Sequence, residues 1–313
     1  MEHRGPIDGI SSFVALGDSF TEGLNDPLPG GGYRGWADRF ADMLSIHQPG
    51  LRYANLAVRG KLLREVAAEQ VPRAIEMAPD LVSLAAGGND LLRPGSDPDS
   101  LAETLDASVA SLRAAGCRVL LLSGFDPCAF PVIRLLRGKA AVYNMHMRTI
   151  ASTRQCDVVD LWSMRVLCDR RVWSEDRLHL LPEGHRRVAL RVCEAVGVPA
   201  DGDWREPLPQ APGPAGSAVA VAAAGATAVG VAATRAQVRL ASVRVLSSAG
   251  LAWAGARRQD ARWAKDYAMP WLRRMLRGQS SGDGVPPKRP DLLPVRALAG
   301  LPGLSGLSGA DAP

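Results

Sequence analysis

"VALGDSFTEG", residues 14–23, sets an apolar run directly before Gly17, and places Asp18 and Ser19 where a helix begins. A Val/Leu-rich run that stops at a glycine reads as a buried strand, and the acidic and hydroxyl pair after it reads as the turn into a helix. The same alternation continues outward. Apolar runs at "RYANLAV" (52–58), "DLVSLAAG" (80–87), "CRVLLLSG" (117–124) and "CDVVDLW" (156–162) are separated by helix-like stretches over 34–47, 61–77, 98–115, 131–153 and 182–196. Runs that are apolar on both faces and joined by helical crossovers predict a parallel sheet covered on both sides. Right-handed crossovers place every strand C-terminus on one edge, where such sheets bind ligands. The expected fold class is therefore α/β: a three-layer α/β/α sandwich over residues 8–200 with a parallel, flavodoxin-like five-stranded sheet, followed by a C-terminal helical and disordered extension.

Bulk composition excludes more than it assigns. The 313 residues are 47% hydrophobic and 22% charged, as in a globular protein rather than a disordered or fibrous one. "MEHRGPIDGISS" carries no apolar run behind a basic start, so no secretory signal is expected. Five cysteines (117, 128, 156, 168 and 193) form no CxxC pair; reduced, mostly buried thiols and a cytoplasmic location are expected. Residues 235–296 hold 13 Lys/Arg against 4 Asp/Glu, whereas residues 1–234 hold 24 against 27. A basic segment is thus appended to a near-neutral body, and nucleic acid is not an expected partner of that body.

The extension divides by composition. Residues 201–255 read as a Pro/Gly/Ala-rich linker and low-complexity segment, with "EPLPQAPGPAGS" (206–217) followed by the uncharged "SAVAVAAAGATAVGVAAT" (217–234). That run brushes the length of a membrane span, but Ala and Gly give little of the insertion energy that Leu, Ile and Phe supply, so a linker is the expectation. Residues 256–296 read as a basic aromatic helical segment. Trp263, Tyr267 and Trp271 fall on one face, and Pro270 is expected to kink or end the helix. The preferred reading docks this helix through its aromatic face. The alternative is weak contact of residues 256–277 with an anionic membrane surface. Residues 297–313 read as a disordered tail. Oligomeric state has no signature in the sequence.

Four segments fall at the expected strand ends or just beyond: Gly17-Asp18-Ser19, "NLAVRG" ending at Gly60, "GGND" with Asn89, and "SEDRLHLLPEGH" with Asp176 and His179. A serine hydroxyl needs an adjacent base to become a nucleophile, His179 is a base of the right kind, and Asp176 can orient it. Taken together and in order, these blocks resemble the GDSL or SGNH hydrolase superfamily over residues 11–197, with Phe20 where the usual block has Leu. The resemblance implies a serine esterase or lipase with Ser19, Asp176 and His179 as catalytic residues. It also implies an oxyanion hole from the backbone N–H of Ser19, the backbone N–H of Gly60 and the side-chain amide of Asn89. Such an enzyme needs no cofactor or metal, and no cluster with metal-ligand spacing is evident. The expected substrate is a small-molecule or lipid ester.

Each block also has a plainer reading. Ser19 could be an N-cap with Glu22 completing a capping box. Asn89-Asp90 could be only a turn, Asp176 and His179 a solvated pair, and His185 a cap or solvent-facing residue. Two textual matches fail on context: "GQSSG" (278–282) follows a basic helix rather than a strand, and "GGGYRG" (30–35) follows "DPLP". The loops 24–35 and 125–140 are expected to line the substrate pocket, with "FDPCAFPVIRLL" as an apolar wall. Acyl transfer on the same fold, or a non-enzymatic binding module using the basic segment, are the rival functions.

Overall fold

The computed structural model describes residues 9–130, 133–209 and 261–295. The chain divides into two units, one comprising residues 1–206 and 280–313, the other residues 207–279. The expected linker beyond residue 209, the Ala-rich run 217–234 and the tail 297–313 lie outside the described residues.

The first unit holds a six-stranded sheet of order β5-β4-β3-β1-β2-β6. Its strands are β1 (Ser12–Gly17), β2 (Arg52–Asn55), β3 (Leu81–Ala85), β4 (Arg118–Leu122), β5 (Asp157–Val159) and β6 (Arg289–Pro294). The first five pair in parallel, with β1 between β2 and β3. That is the expected doubly wound order, whose switch point lies at the end of β1. The sixth strand was not expected. Residues 289–294, read from composition as part of a basic helical segment, instead pair antiparallel with β2 through Arg52↔Pro294 and Tyr53↔Leu293. "RPDLLP" has prolines at both ends and a single short apolar pair, so its strand character comes from the open β2 edge and not from its own pattern.

Alternation along the strands sorts the core into two layers. Val14, Leu16, Ala54, Val82, Leu84, Val119 and Leu121 face one way. They pack under α3 (63–77), α5 (Pro98–Ala114) and α6 (Arg137–Arg154). Phe13 points the other way, edge-on to Phe40 of α2 (Gly35–His47) and stacked on Tyr53, each at 5.2 Å. Helix α2 packs with α7 (Pro182–Val196) to cover that face. Two very short helices, α1 (Ser19–Glu22) and α4 (Gly88–Leu91), start where β1 and β3 end.

Helix α3 is interrupted by a π-turn over Val66–Gln70, closed by the Val71 N–H on the Val66 carbonyl. Pro72 follows at once. In the second unit, the helix over 261–276, here α8, does the same. A π-turn over Ala264–Ala268 is closed by the Met269 N–H on the Ala264 carbonyl, and Pro270 follows. Pro270 was expected to kink or end that helix. The helix instead runs on to Leu276, because the wider π-turn sits where the proline ring and its missing N–H would break regular pairing. Trp263 is buried, whereas Tyr267 is exposed, so the aromatic face is not uniformly covered.

All five cysteines are free thiols. Cys117 and Cys193 are buried, but Cys128 is exposed, with its sulfur 2.7 Å from that of Cys168. The expectation of mostly buried thiols therefore holds for two of the five. Among the described residues no helix is long and apolar enough to cross a membrane.

Candidate functional site

Ser19 is the first residue of α1, and Asp18 is its cap. The Asp18 backbone is extended, and its carboxylate accepts from the Phe20 N–H at 3.1 Å. Ser19 is thus not the N-cap, and Glu22 forms no capping box. Glu22 instead turns inward to Arg59, pairing with its guanidinium and accepting from its backbone N–H at 2.7 Å. Gly17 has the φ of +150°, and a Cβ there would run into the Ala85 carbonyl and the Thr21 hydroxyl. Only glycine lets the chain leave β1 at this angle. Gln70, on the π-turn of α3, clasps the same residue from the side: its Oε1 accepts from Gly17 N–H at 2.8 Å and its Nε2 donates to Gly17 C=O at 2.9 Å.

His179 arrives from beyond β5. The loop carrying it is closed by the Ser174 N–H on the His179 carbonyl at 2.9 Å and by a bridge between Trp173 and Leu180. Within that loop His179 Nδ1 lies 2.7 Å from Asp176 Oδ2, and His179 Nε2 lies 2.9 Å from Ser19 Oγ. Asp176 Oδ1 accepts from the Ser174 hydroxyl and from the Leu178 and His179 N–H groups, and Asn25 Nδ2 reaches Oδ2 at 3.3 Å. Burial alone would raise the Asp176 pKa, but hydrogen bonds from His179, Ser174 and Leu178 outweigh it. They hold the carboxyl well below the usual range. Asp176 is therefore ionised across the neutral range.

Gly60 and Asn89 join the block around Ser19 through Asp18 and the Lys61 carbonyl. Gly60 has φ +73°, and a Cβ there would collide with the hydroxyls of Ser280 and Ser281. Glycine is needed here for the turn and for the C-terminal chain that lies against it. Asn89 sits in α4 and uses its amide nitrogen twice, donating to Asp18 Oδ2 at 3.1 Å and to the Lys61 carbonyl at 3.0 Å. It ties the block around Ser19 to the loop around Gly60. Asp18 is buried, and desolvation lifts its pKa to about 6 against the pull of the Phe20 N–H and of His179.

The structure thus brings together Ser19, Asp176 and His179 in one hydrogen-bonded chain, with Gly60 and Asn89 in the loops linked to it. His185 departs from expectation. It is 1% exposed, lies tilted against Phe20 and donates from Nε2 to the Leu24 carbonyl at 3.2 Å. Burial pushes its pKa down to about 4, so it is a neutral packing residue. Loop 24–35 reaches the site through Asn25. Phe125 and Phe130 of loop 125–140 pack on Trp173, three residues before Asp176 and six before His179. Ser280 of "GQSSG" is a loop residue, as its context required, but it lies beside Gly60. Gln70, Asn25 and Ser174 carry no sequence signal, since each contributes through a three-dimensional contact alone. Among the described residues no group of three or more His, Cys, Asp or Glu is arranged to hold a metal ion.

Comparison with known proteins gives the family and related folds. Residues 15–187 match the GDSL-like lipase/acylhydrolase family. Nothing matches among curated proteins. Among solved structures, the chain is similar to LAE5, an alpha/beta hydrolase enzyme from the metagenome of Lake Arreo, Spain. The two are 25% identical with a TM-score of 0.53, over 60% of this chain and 95% of that one. It is also similar in fold to TesA, at 23% identity and TM-score 0.50 over 59% and 97% of the two chains. A mutant of Axe2, an acetyl xylan esterase from Geobacillus stearothermophilus, gives 21% and 0.53 over 61% and 95%.

Proposed function

The chain belongs to the GDSL-like lipase/acylhydrolase family, and from that premise we propose that it is a serine esterase cleaving carboxylic esters through an acyl-enzyme at Ser19. The observation that carries this reading is the unbroken chain Ser19 Oγ, His179 Nε2, His179 Nδ1, Asp176 Oδ2, with steps of 2.9 and 2.7 Å. His179 takes the Ser19 proton as the hydroxyl oxygen bonds to the ester carbonyl carbon, and then gives it to the departing alkoxide. Water repeats the sequence on the acyl-enzyme, releasing the acid and restoring Ser19. Asp176 stays ionised throughout and stabilises the imidazolium between the two transfers. Its two additional N–H donors and the Ser174 hydroxyl keep it aimed at Nδ1.

The oxygen of the tetrahedral intermediate is received by the N–H of Ser19, which as the first helical residue has no intrahelical acceptor, by the N–H of Gly60 and by Asn89. The Asn89 hydrogen now directed at Asp18 is the one that turns to the oxyanion, exchanging one anionic acceptor for another. Phe125, partly exposed where it packs on Trp173, suits an apolar acyl or alcohol group, from a small-molecule or lipid ester. The test is hydrolysis of p-nitrophenyl acetate by the wild type and by Ser19→Ala. A loss of about 10⁴-fold or more is expected, and equal turnover in the two proteins would remove Ser19 from the mechanism.

A further inference from the structure

The family match ends at residue 187 and the similar solved structures cover about 60% of the chain, yet residues 280–294 belong to the first unit and touch the loop 58–61 and the segment 33–38. We propose that this C-terminal strap is part of the catalytic apparatus, with Gly282 and Lys288 as positioning residues for the Gly60 loop and for α1. The inference rests on the reading of Ser19 and Gly60 given above.

The first contact is with the loop 58–61. Ser280 and Ser281 place their hydroxyls where a Cβ on Gly60 would be, and a Cβ on Gly282 would run into the Arg59 carbonyl oxygen and the Val58 side chain. The two glycines interlock. The turn that presents these groups is self-supporting. Ser280 N–H donates to Asp283 Oδ2 at 2.8 Å, the Gly282 N–H to Ser280 Oγ at 3.2 Å, and the Val285 N–H to the Gly282 carbonyl at 3.0 Å. From the opposite side, Glu22 grips Arg59 and Asn89 holds the Lys61 carbonyl. The Gly60 amide is therefore clamped between α1 and the strap, and removing either jaw frees it.

The second contact, at the start of α2, leads to α1 through a relay of side chains. Lys288 Nζ donates to Asp38 Oδ2 at 2.7 Å and to the carbonyls of Tyr33 and Arg34. The other Asp38 oxygen accepts from the Tyr53 hydroxyl at 2.7 Å, and Asn55 Nδ2 donates to that hydroxyl and to the Thr21 carbonyl, at 2.9 and 3.0 Å. Thr21 lies two residues after Ser19. An unbroken hydrogen-bonded path thus runs from the strap to the short helix that holds the nucleophile. Such a path fixes geometry: Tyr53 and Asn55 are buried, and a donor or acceptor left over there has no water to turn to. Pairing of β6 with β2 and the Arg289 guanidinium on the Tyr53 carbonyl hold the strap in register.

The experiment compares Gly282→Ala and Lys288→Met with the full-length wild type on p-nitrophenyl acetate, with a trifluoromethyl ketone as a mimic of the tetrahedral intermediate and a thermal unfolding scan. Displacing an oxyanion donor acts on the transition state, so kcat should fall about 10- to 100-fold with KM within about threefold. Affinity for the trifluoromethyl ketone should fall in step with kcat, at temperatures where both variants are fully folded. A purely structural role would lower the melting temperature and leave these ratios alone. Ser280→Ala keeps the test open should either variant fail to fold. It removes only the hydroxyl seated against Gly60, and about a threefold to tenfold loss of kcat is expected. If kcat and ketone affinity in the folded variants stay within twofold of wild type while Ser19→Ala is inactive, the strap inference is overturned. An active Ser19→Ala would instead overturn the nucleophile reading, and with it the inference.

Discussion

At the residue scale, each member of the site is defined by what its neighbours leave it to do. Asp176 is kept ionised by the donors around it, so it can only accept, and His179 is thereby committed to presenting Nε2 to Ser19. Ser19→Ala and His179→Ala should each lose nearly all turnover, and the double variant should be little worse, because the residues act as a unit. Asp176→Asn should retain more activity; steady-state kinetics on one ester distinguishes these outcomes. Asp18 has the opposite character. Its carboxyl is buried and titrates near 6 rather than 3.8, so the folded state holds this proton more tightly than the unfolded one. The resulting contribution to stability is complete below pH 3.8 and is lost as pH rises through 6. Asp18→Asn keeps the cap acceptor but cannot ionise. Its unfolding free energy relative to wild type should improve by about 2–3 kcal/mol between pH 3.5 and pH 7, as measured by urea denaturation at both pH values. The same variant turns an NH₂ toward the Asn89 NH₂ and should lose activity while it gains relative stability. Ser19, Asp176 and His179 were legible because their chemistry needs those residue types at strand ends. Asp18 was legible only as a turn residue, since its burial depends on Asn89 arriving from another block.

At the element scale, the two π-turns have a common cause. Each closes on the residue before a proline, at Val71-Pro72 and at Met269-Pro270. Neither turn could be read from the periodicity, because one extra residue shifts the apolar spacing by a single position, which a short amphipathic pattern does not resolve. In α3 the turn has a local consequence: its last residue is Gln70, whose amide satisfies both the N–H and the C=O of Gly17. Gln70→Leu should leave the Gly17 N–H buried without that partner. About 1–3 kcal/mol of stability should be lost in chemical denaturation, together with part of kcat through Ser19 two residues on. A change in stability without any change in kcat would show that the end of β1 holds its place unaided. The five parallel strands and their order were visible in the spacing of apolar runs. Strand β6 was not, because its partner edge exists only once β2 has joined the sheet.

At the scale of the whole molecule, the catalytic unit is assembled from two stretches far apart in sequence, residues up to 206 and residues from 280 onward. Compositional boundaries follow the chain and miss such a return, so residues 288–294 read only as the end of a basic segment. The return has an energetic consequence. A chain ending at residue 279 leaves β2 as an open edge and the Asp38 carboxylate without Lys288. Lys288 and Asp38 are each about one-fifth exposed, so leaving Asp38 without its partner costs about 1–3 kcal/mol, and a melting temperature lower by roughly 5 °C is expected in a thermal scan. An unchanged melting temperature would show that β6 only rests on the sheet. The claim on which everything else depends is that Ser19 becomes covalently attached to the acyl group. Exposure of the protein to a fluorophosphonate, followed by mass spectrometry of its peptides, should find one adduct per chain, on Ser19, with esterase activity lost in proportion. Proportional loss of activity with the adduct on Ser280 or any other residue, or hydrolysis that continues with Ser19 fully modified, would contradict the account.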